Sequence, residues 1–214
     1  MRDGEIAAMR QDYTVGELLE SSAPPEPWEL FSSWFEIARE SKILEPNAMI
    51  LSTVTEDGQP TSRVVLLKDF NHRGLVFFTN YLSQKGEHLA NNPRASILFW
   101  WEPLQRQIRI EGEVVKIDVE ESDTYFLSRP YGSCLGAWVS KQSQMITDRT
   151  VLEKRQIEFE KKFADGNVTR PGYWGGYRLI PRKFEFWQGR SNRLHDRLLY
   201  SMKQDTWTRV RLAP

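Results

Sequence analysis

The chain has 214 residues, enough for one domain with a substantial core, and its 29 Lys and Arg balance its 29 Asp and Glu. That balance creates no global field for nucleic acid or an anionic membrane, so any anion site has to be local. A single cysteine, Cys134, excludes a disulfide framework and a cysteine zinc site, and His72, His88 and His195 lack metal-ligand spacing, so no bound metal is expected. The N-terminus carries no apolar core followed by small residues, and no stretch is long and apolar enough to span a bilayer. A cytoplasmic protein with no membrane partner is the expectation.

Residues 1–26 are polar and end in SSAPPEP, which predicts an extended, mobile segment able to act as a lid, ahead of a single domain over 27–214. PWELFSSWFEIAR starts with Pro27 where a helix tolerates it, and Leu30, Trp34, Ile37 and Ala38 repeat at helical spacing as a core stripe. From Ala48 the pattern changes to strands: AMILSTV, a turn signalled by Asp57-Gly58, then TSRVVLLK and LVFFTN. SQKGEHLANNP reads as a short helix between strands, and ASILFWW with RQIRIEGEVVKI as a second strand pair. VEESDTYFLSR, SCLGAWVS and TDRTVLEKRQIEFEKKFADG follow as helices, the last with Asp148 near its start and Gly166 past its end. WGGYRLIP with KFEFWQG, then RLHDRLLYS and TWTRVRLA, close the chain as strands. Many antiparallel strands with interspersed helices predict a β-barrel decorated by helices.

No GxGxxG or GxxxxGK loop is present, so phosphate has to be held by side chains. EFWQGRSNRLHDR, residues 185–197, concentrates Trp187, Arg190, Arg193, His195 and Arg197 in one strand-turn-strand, a cluster suited to an anion and a flat ring. Arg63 and Lys68 bracket a strand at a separation that puts them on opposite faces if the strand is regular. Tyr125, Arg129 and Ser133 stand four apart, so a helical turn and its exit can bring them to one phosphate. Read singly, each of these is also an ordinary surface residue.

From Phe184 the chain reads FEFWQ, four residues, then RLHDR; it also contains RVVLLK (63–68), FFTN (77–80), QRQ (105–107), YFLSRP (125–130), GAWVSKQS (136–143), WGGYR (174–178) and a terminal RLAP. In these motifs it resembles the pyridoxine/pyridoxamine 5'-phosphate oxidases over nearly its whole length. The resemblance implies a mainly β fold with helices, the FMN-binding split barrel, a Greek-key six-stranded antiparallel barrel. It implies a homodimer with flavin mononucleotide at the subunit interface. It also implies oxidation of the phosphorylated B6 vitamers to pyridoxal 5'-phosphate, with dioxygen as acceptor and hydrogen peroxide as product. Matching positions would place Arg63, Val64, Val65, Leu66, Leu67, Lys68, Phe78, Thr79, Gln84, Lys85, Gln107, Gln142, Ser143, Trp187 and Arg197 on the flavin. Lys68, Tyr125, Arg129 and Ser133 would hold the substrate phosphate, with Arg193 and His195 over the reacting carbon and Arg10 and Tyr13 on a closing segment. Two positions depart from the family's pattern: Gln84 stands where arginine is frequent, leaving one charge fewer, and Cys134 follows Ser133 where glutamine is frequent. A non-catalytic flavin- or pyridoxal phosphate-binding split-barrel protein is the rival reading.

Overall fold

The computed structural model describes residues 5, 6, 8, 9 and 11–214. Helix α1 (Pro27–Glu40) starts with proline at its first turn and carries Glu29 and Arg39 at the ends where each favours the helix dipole. Its buried face is Pro27, Trp28, Leu30, Phe31, Trp34 and Ala38. Ile37, expected in that stripe, is exposed, because the face is centred on positions 30, 34 and 38 and Phe31 takes the flank. The hairpin β1 (Ala48–Val54) and β2 (Pro60–Leu66) turns at Gly58, whose φ of 91° lies in the left-handed region that glycine adopts without a Cβ penalty. β3 (Asp69–Asn71) and β4 (Gly74–Asn80) form a second tight hairpin.

Helix α2 (Gln84–Asn91) is capped by the Ser83 hydroxyl, which accepts from the Gly86 N–H, and a side chain at Gly86 would collide with the Tyr81 carbonyl. β5 (Arg94–Trp101) and β6 (Arg106–Lys116) precede helices α3 (Val119–Leu127), α4 (Tyr131–Val139) and α5 (Thr150–Lys162). Asp148 accepts from the Thr150 N–H at the start of α5, and Gly166, at φ 82°, follows its end. β7 (Trp174–Gln188), β8 (Asp196–Lys203) and β9 (Thr206–Leu212) complete the chain. β7 runs unbroken through Pro181, where two strand segments are foreseen from sequence; β8 begins only at Asp196, so Arg193 and His195 lie in the turn before it.

The sheet order is β2-β1-β5-β6-β7-β4-β3, with β8 on β7 and β9 on β8. Six strands make the path from β2 to β4; the three-residue β3 and the β8-β9 hairpin are additional. Contacts divide the described residues into two compact units. Unit 1 draws on the described residues up to Met49, Ile97–Glu111 and Arg182–Pro214, and unit 2 on Ile50–Ser96 and Gly112–Pro181. The unit 1 core is aromatic: Phe31 meets Phe99 edge-on at 5.6 Å, Trp34 meets Phe186 at 5.4 Å, and Phe186 meets Tyr200 at 5.6 Å. In unit 2, Phe126, Cys134, Leu135, Val139, Phe163, Val168 and Trp174 form one buried cluster under α3, α4 and α5.

Candidate active site

Unit 2 contains a cavity of about 930 Å³, within the range of small-molecule sites. Arg63, Val64, Val65, Leu66 and Lys68 line it from β2 and the residues after it, Phe78 and Thr79 from β4, and Gln84 and Lys85 from the first turn of α2. Tyr125, Arg129 and Ser133 reach it from α3, the α3-α4 link and α4, while Gln142 and Ser143 come from the exposed loop beyond α4. Arg63 and Lys68 thus share one cavity despite their odd spacing, because β2 ends at Leu66 and the regular alternation ends with it. Leu67 is buried and does not line the cavity.

Among the described residues no Asp or Glu lines this cavity, whereas four cationic side chains do: Arg63, Lys68, Lys85 and Arg129. Lys85 is 7% exposed, and its Nζ donates only to neutral oxygens, Thr79 Oγ1, Ser83 Oγ and Gln142 Oε1, each at 3.2 Å. Burial, reinforced by the Arg63 charge, lowers its pKa from 10.5 to about 8. Arg63 likewise donates to hydroxyls and carbonyls and to no carboxylate. Arg129 lies over the Trp174 ring at 4.5 Å, and its Nη1 is buried with no hydrogen-bond partner among the described residues. Cations desolvated without counter-charge are costly unless an anion joins them. A phosphate group supplies that anion, so these residues fit a phosphorylated cofactor and a phosphorylated substrate. Behind them Phe78 is stacked on Tyr125 at 3.8 Å and on Trp174 at 5.5 Å, which holds the Tyr125 ring in place. Ser143 keeps a φ of 72°, unusual for a residue with a Cβ, at the cavity's loop edge.

Gln107, Trp187, Arg193, His195, Arg197 and Tyr13 belong to unit 1; Arg10 lies outside the described residues. Trp187 is 4.5 Å from the His195 ring and meets Tyr13 edge-on at 5.8 Å, and Tyr13 lies against Gly189 where any side chain would intrude. Gln107 is half-buried on β6. The turn ahead of β8 places Asn192 and Arg193 both at positive φ, 55° and 63°, leaving the Arg193 side chain exposed. The Arg190 N–H donates to His195 Nδ1 at 3.2 Å. Neutral His195 therefore carries its proton on Nε2 and presents a donor. Burial and the Arg193 charge lower its pKa, with Asp196 opposing them.

Several residues around these positions escape sequence reasoning. Glu185, buried on β7, accepts from Arg109 Nη2 at 2.5 Å and from Arg197 Nε at 2.8 Å, and Arg197 Nη1 donates to the Ala213 carbonyl at 2.8 Å. Asp196 accepts from the Leu18 N–H, Arg190 Nη1 and Arg211 Nη1, tying the N-terminal segment to the RLHDR turn. One carboxylate amid core phenylalanines is the only sequence signal at Glu185; its two arginine partners come from β6 and β8.

Residues 36–162 match the family described as pyridoxamine 5'-phosphate oxidase, and residues 174–214 match the pyridoxine 5'-phosphate oxidase C-terminal dimerisation region. The pyridoxine/pyridoxamine 5'-phosphate oxidase of Trichormus variabilis is 54% identical over 213 residues, 99% of this chain and 100% of that one. Its counterpart from Cupriavidus taiwanensis is 52% identical over 211 residues, 98% of this chain and 99% of the relative. Among solved structures, PhzG from Burkholderia lata, in complex with tetrahydrophenazine-1-carboxylic acid, superposes with a TM-score of 0.87 at 33% identity, covering 94% of this chain and 99% of that one. A pyridoxamine 5'-phosphate oxidase-related FMN binding protein from Nostoc punctiforme superposes at 0.69 with 17% identity, covering 90% of this chain and 100% of that one, a likeness of fold. The architecture is the flavin-binding split barrel. Among the described residues no helix is long and apolar enough to cross a membrane. By both regions and by relatives matched end to end, the chain belongs to the pyridoxine/pyridoxamine 5'-phosphate oxidase family of oxidoreductases.

Proposed function

We propose that this protein is a pyridoxal 5'-phosphate synthase that uses flavin mononucleotide to oxidise pyridoxamine 5'-phosphate and pyridoxine 5'-phosphate, working as a homodimer with its flavin sites at the subunit interface. The observation that carries this reading is the cavity that, among the described residues, is lined by four cations and no carboxylate, in a chain of this family. Arg63 and Lys85, with Gln84 as a neutral donor, take the cofactor phosphate, while Lys68, Tyr125, Arg129 and Ser133 take the substrate phosphate. Val64, Val65, Leu66, Phe78, Thr79, Gln107, Gln142, Ser143, Trp187 and Arg197 serve the flavin ring and its chain, while Leu67, buried outside the cavity, packs beneath it. Bound flavin supplies the hydride acceptor, and dioxygen takes the electrons onward. The alcohol and dioxygen give aldehyde and hydrogen peroxide; the amine also consumes water and releases ammonia.

Protein groups contribute alignment and hydrogen bonds rather than covalent steps. Arg193 covers the pyridine face and steadies developing charge. His195, with Nδ1 engaged by the Arg190 N–H, offers its Nε2–H to the substrate heteroatom and is not a ready base there. The C-terminal match to a dimerisation region supports the homodimer. The test is aerobic turnover of the flavin mononucleotide-loaded protein with each vitamer phosphate, following pyridoxal 5'-phosphate and peroxide together. Stoichiometric formation of both is expected; flavin binding with no product from either substrate would overturn the oxidase reading in favour of a carrier.

A further inference from the structure

Behind Arg63 lies a buried cluster with no role in the reaction described above. Arg63 Nη1 donates to Thr53 Oγ1 at 2.7 Å and Nη2 to Thr61 Oγ1 at 2.6 Å. The two hydroxyl oxygens, on the paired strands β1 and β2, are 3.4 Å apart. Nδ1 of His88, on α2, is 3.1 Å from Thr53 Oγ1 and 3.4 Å from Thr61 Oγ1. Thr53 has no exposed surface and His88 is 8% exposed, so water does not take over the contact between them, while Thr61 and Arg63 are half-buried.

The direction of the chain follows from counting protons. Guanidinium only donates, so each threonine oxygen accepts from Arg63 and has one proton of its own to place. One hydroxyl can donate to the other; the second hydroxyl then needs an acceptor, and its neighbour is Nδ1 of His88, which satisfies it by accepting as the unprotonated ring nitrogen. The chain therefore runs from Arg63 through the threonines to His88, whose neutral ring carries its proton on Nε2. Anchored on neutral acceptors, the guanidinium keeps its full charge for a ligand, which a carboxylate in place of either threonine would cancel. The same helix carries Lys85, so the cluster fastens the strand bearing one cation to the helix bearing the other.

We propose that Thr53, Thr61 and His88 are positioning residues that fix the direction of the Arg63 guanidinium and so set the preference for phosphorylated over unphosphorylated flavin. This rests on Arg63 holding the cofactor phosphate. The experiment loads full-length protein with flavin mononucleotide or with riboflavin and measures, by fluorescence of released flavin on dilution, the dissociation constant of each. Wild type binds the phosphorylated flavin far more tightly. Thr53→Val weakens it by about tenfold, the scale of a misdirected charge-assisted hydrogen bond, and leaves riboflavin within about twofold. Thr53→Ser, which restores the hydroxyl, returns the wild-type preference. His88→Leu reproduces the Thr53→Val effect, and His88→Asn, with an amide oxygen near the place of Nδ1, largely avoids it; this pair carries the test if Thr53→Val fails to fold. Equal weakening of both flavins, or an unchanged preference in Thr53→Val and His88→Leu, overturns the positioning role while leaving the Arg63 contact intact. A wild type that does not distinguish the two flavins overturns the phosphate contact itself.

Discussion

A histidine whose Nδ1 accepts a main-chain N–H has one nitrogen left for chemistry, and at His195 that nitrogen is a donor while the ring is neutral. Its charged neighbours decide over what range it stays neutral. Arg193 adds to the effect of burial in lowering the pKa, and Asp196 raises it. The neutral ring thus persists to a pH below the usual value of about 6.5, and the group charges only in more acid solution. Because the folded state takes up this proton less readily than the unfolded chain, acidification below that ordinary value destabilises the fold around the turn. NMR titration is expected to place His195 below an exposed histidine, to move it upward in Arg193→Gln and further downward in Asp196→Asn. A pKa unmoved by both changes would mean that neither charge reaches the ring. This coupling is only half legible in the sequence: RLHDR announces the residues, but the accepting Nδ1 depends on Asn192 and Arg193 both turning to positive φ, and neither residue type demands that. Thr53, Thr61, His88 and Glu185 are less visible still, since each matters through a partner brought from another element.

Among the elements, residues 18–24, within the segment expected to act as a lid, make specific hydrogen bonds to the last two strands. Residues 18–24 are held in unit 1: Arg211 pairs with Glu20 at 2.6 Å and donates to the Leu18 carbonyl, Arg209 donates to the Ala23 carbonyl, and the Tyr200 hydroxyl donates to the Pro24 carbonyl. Hydrogen bonding from Arg211 lowers the Glu20 pKa from 4.5 to about 2. A lowered carboxylate pKa gives a contribution that is complete above the unfolded value and is lost as pH falls toward the folded one. Between about pH 4.5 and 2 the tether should therefore release, and amide exchange at Leu18 and Ala23 should accelerate before that of the β8-β9 hairpin. Glu20→Gln should show the faster exchange already at neutral pH and little further change in acid; identical profiles in both proteins would assign the anchoring to other contacts. The sequence reveals Pro24 and Pro25 but not the arginines of β9 that catch the carbonyls around them. Elsewhere the elements follow their local signals: Asp57-Gly58 marks its hairpin, and Pro27 and Gly166 bound α1 and α5. β7 escapes because Pro181 reads as a break, and β3 because three residues carry no periodicity.

For the whole molecule, the proposed homodimer makes a claim about which copies supply a working site. The cations of the cavity, Lys85 among them, belong to unit 2, and Arg193 and His195 belong to the stretch that matches the family's dimerisation region. In a two-fold dimer every interface residue occurs twice, so a site shared by two subunits draws Lys85 from one copy and Arg193 from the other. Lys85→Met and Arg193→Gln proteins, each inactive alone, then complement on mixing. In each hybrid dimer one site inherits both defects and the other inherits none. Random exchange of equal amounts makes about half of the dimers hybrids, each with one intact site of two, so about a quarter of wild-type turnover is expected. Were each site built within a single chain, every site in the hybrid would keep one defect and no activity would return. Mass in solution supplies the control: a dimer near twice the 25.1 kDa chain has to be present before and after mixing, and exchange between tagged and untagged copies has to be demonstrable. With exchange established, absence of complementation would locate Lys85 and Arg193 of each site on one subunit and refute the interface placement.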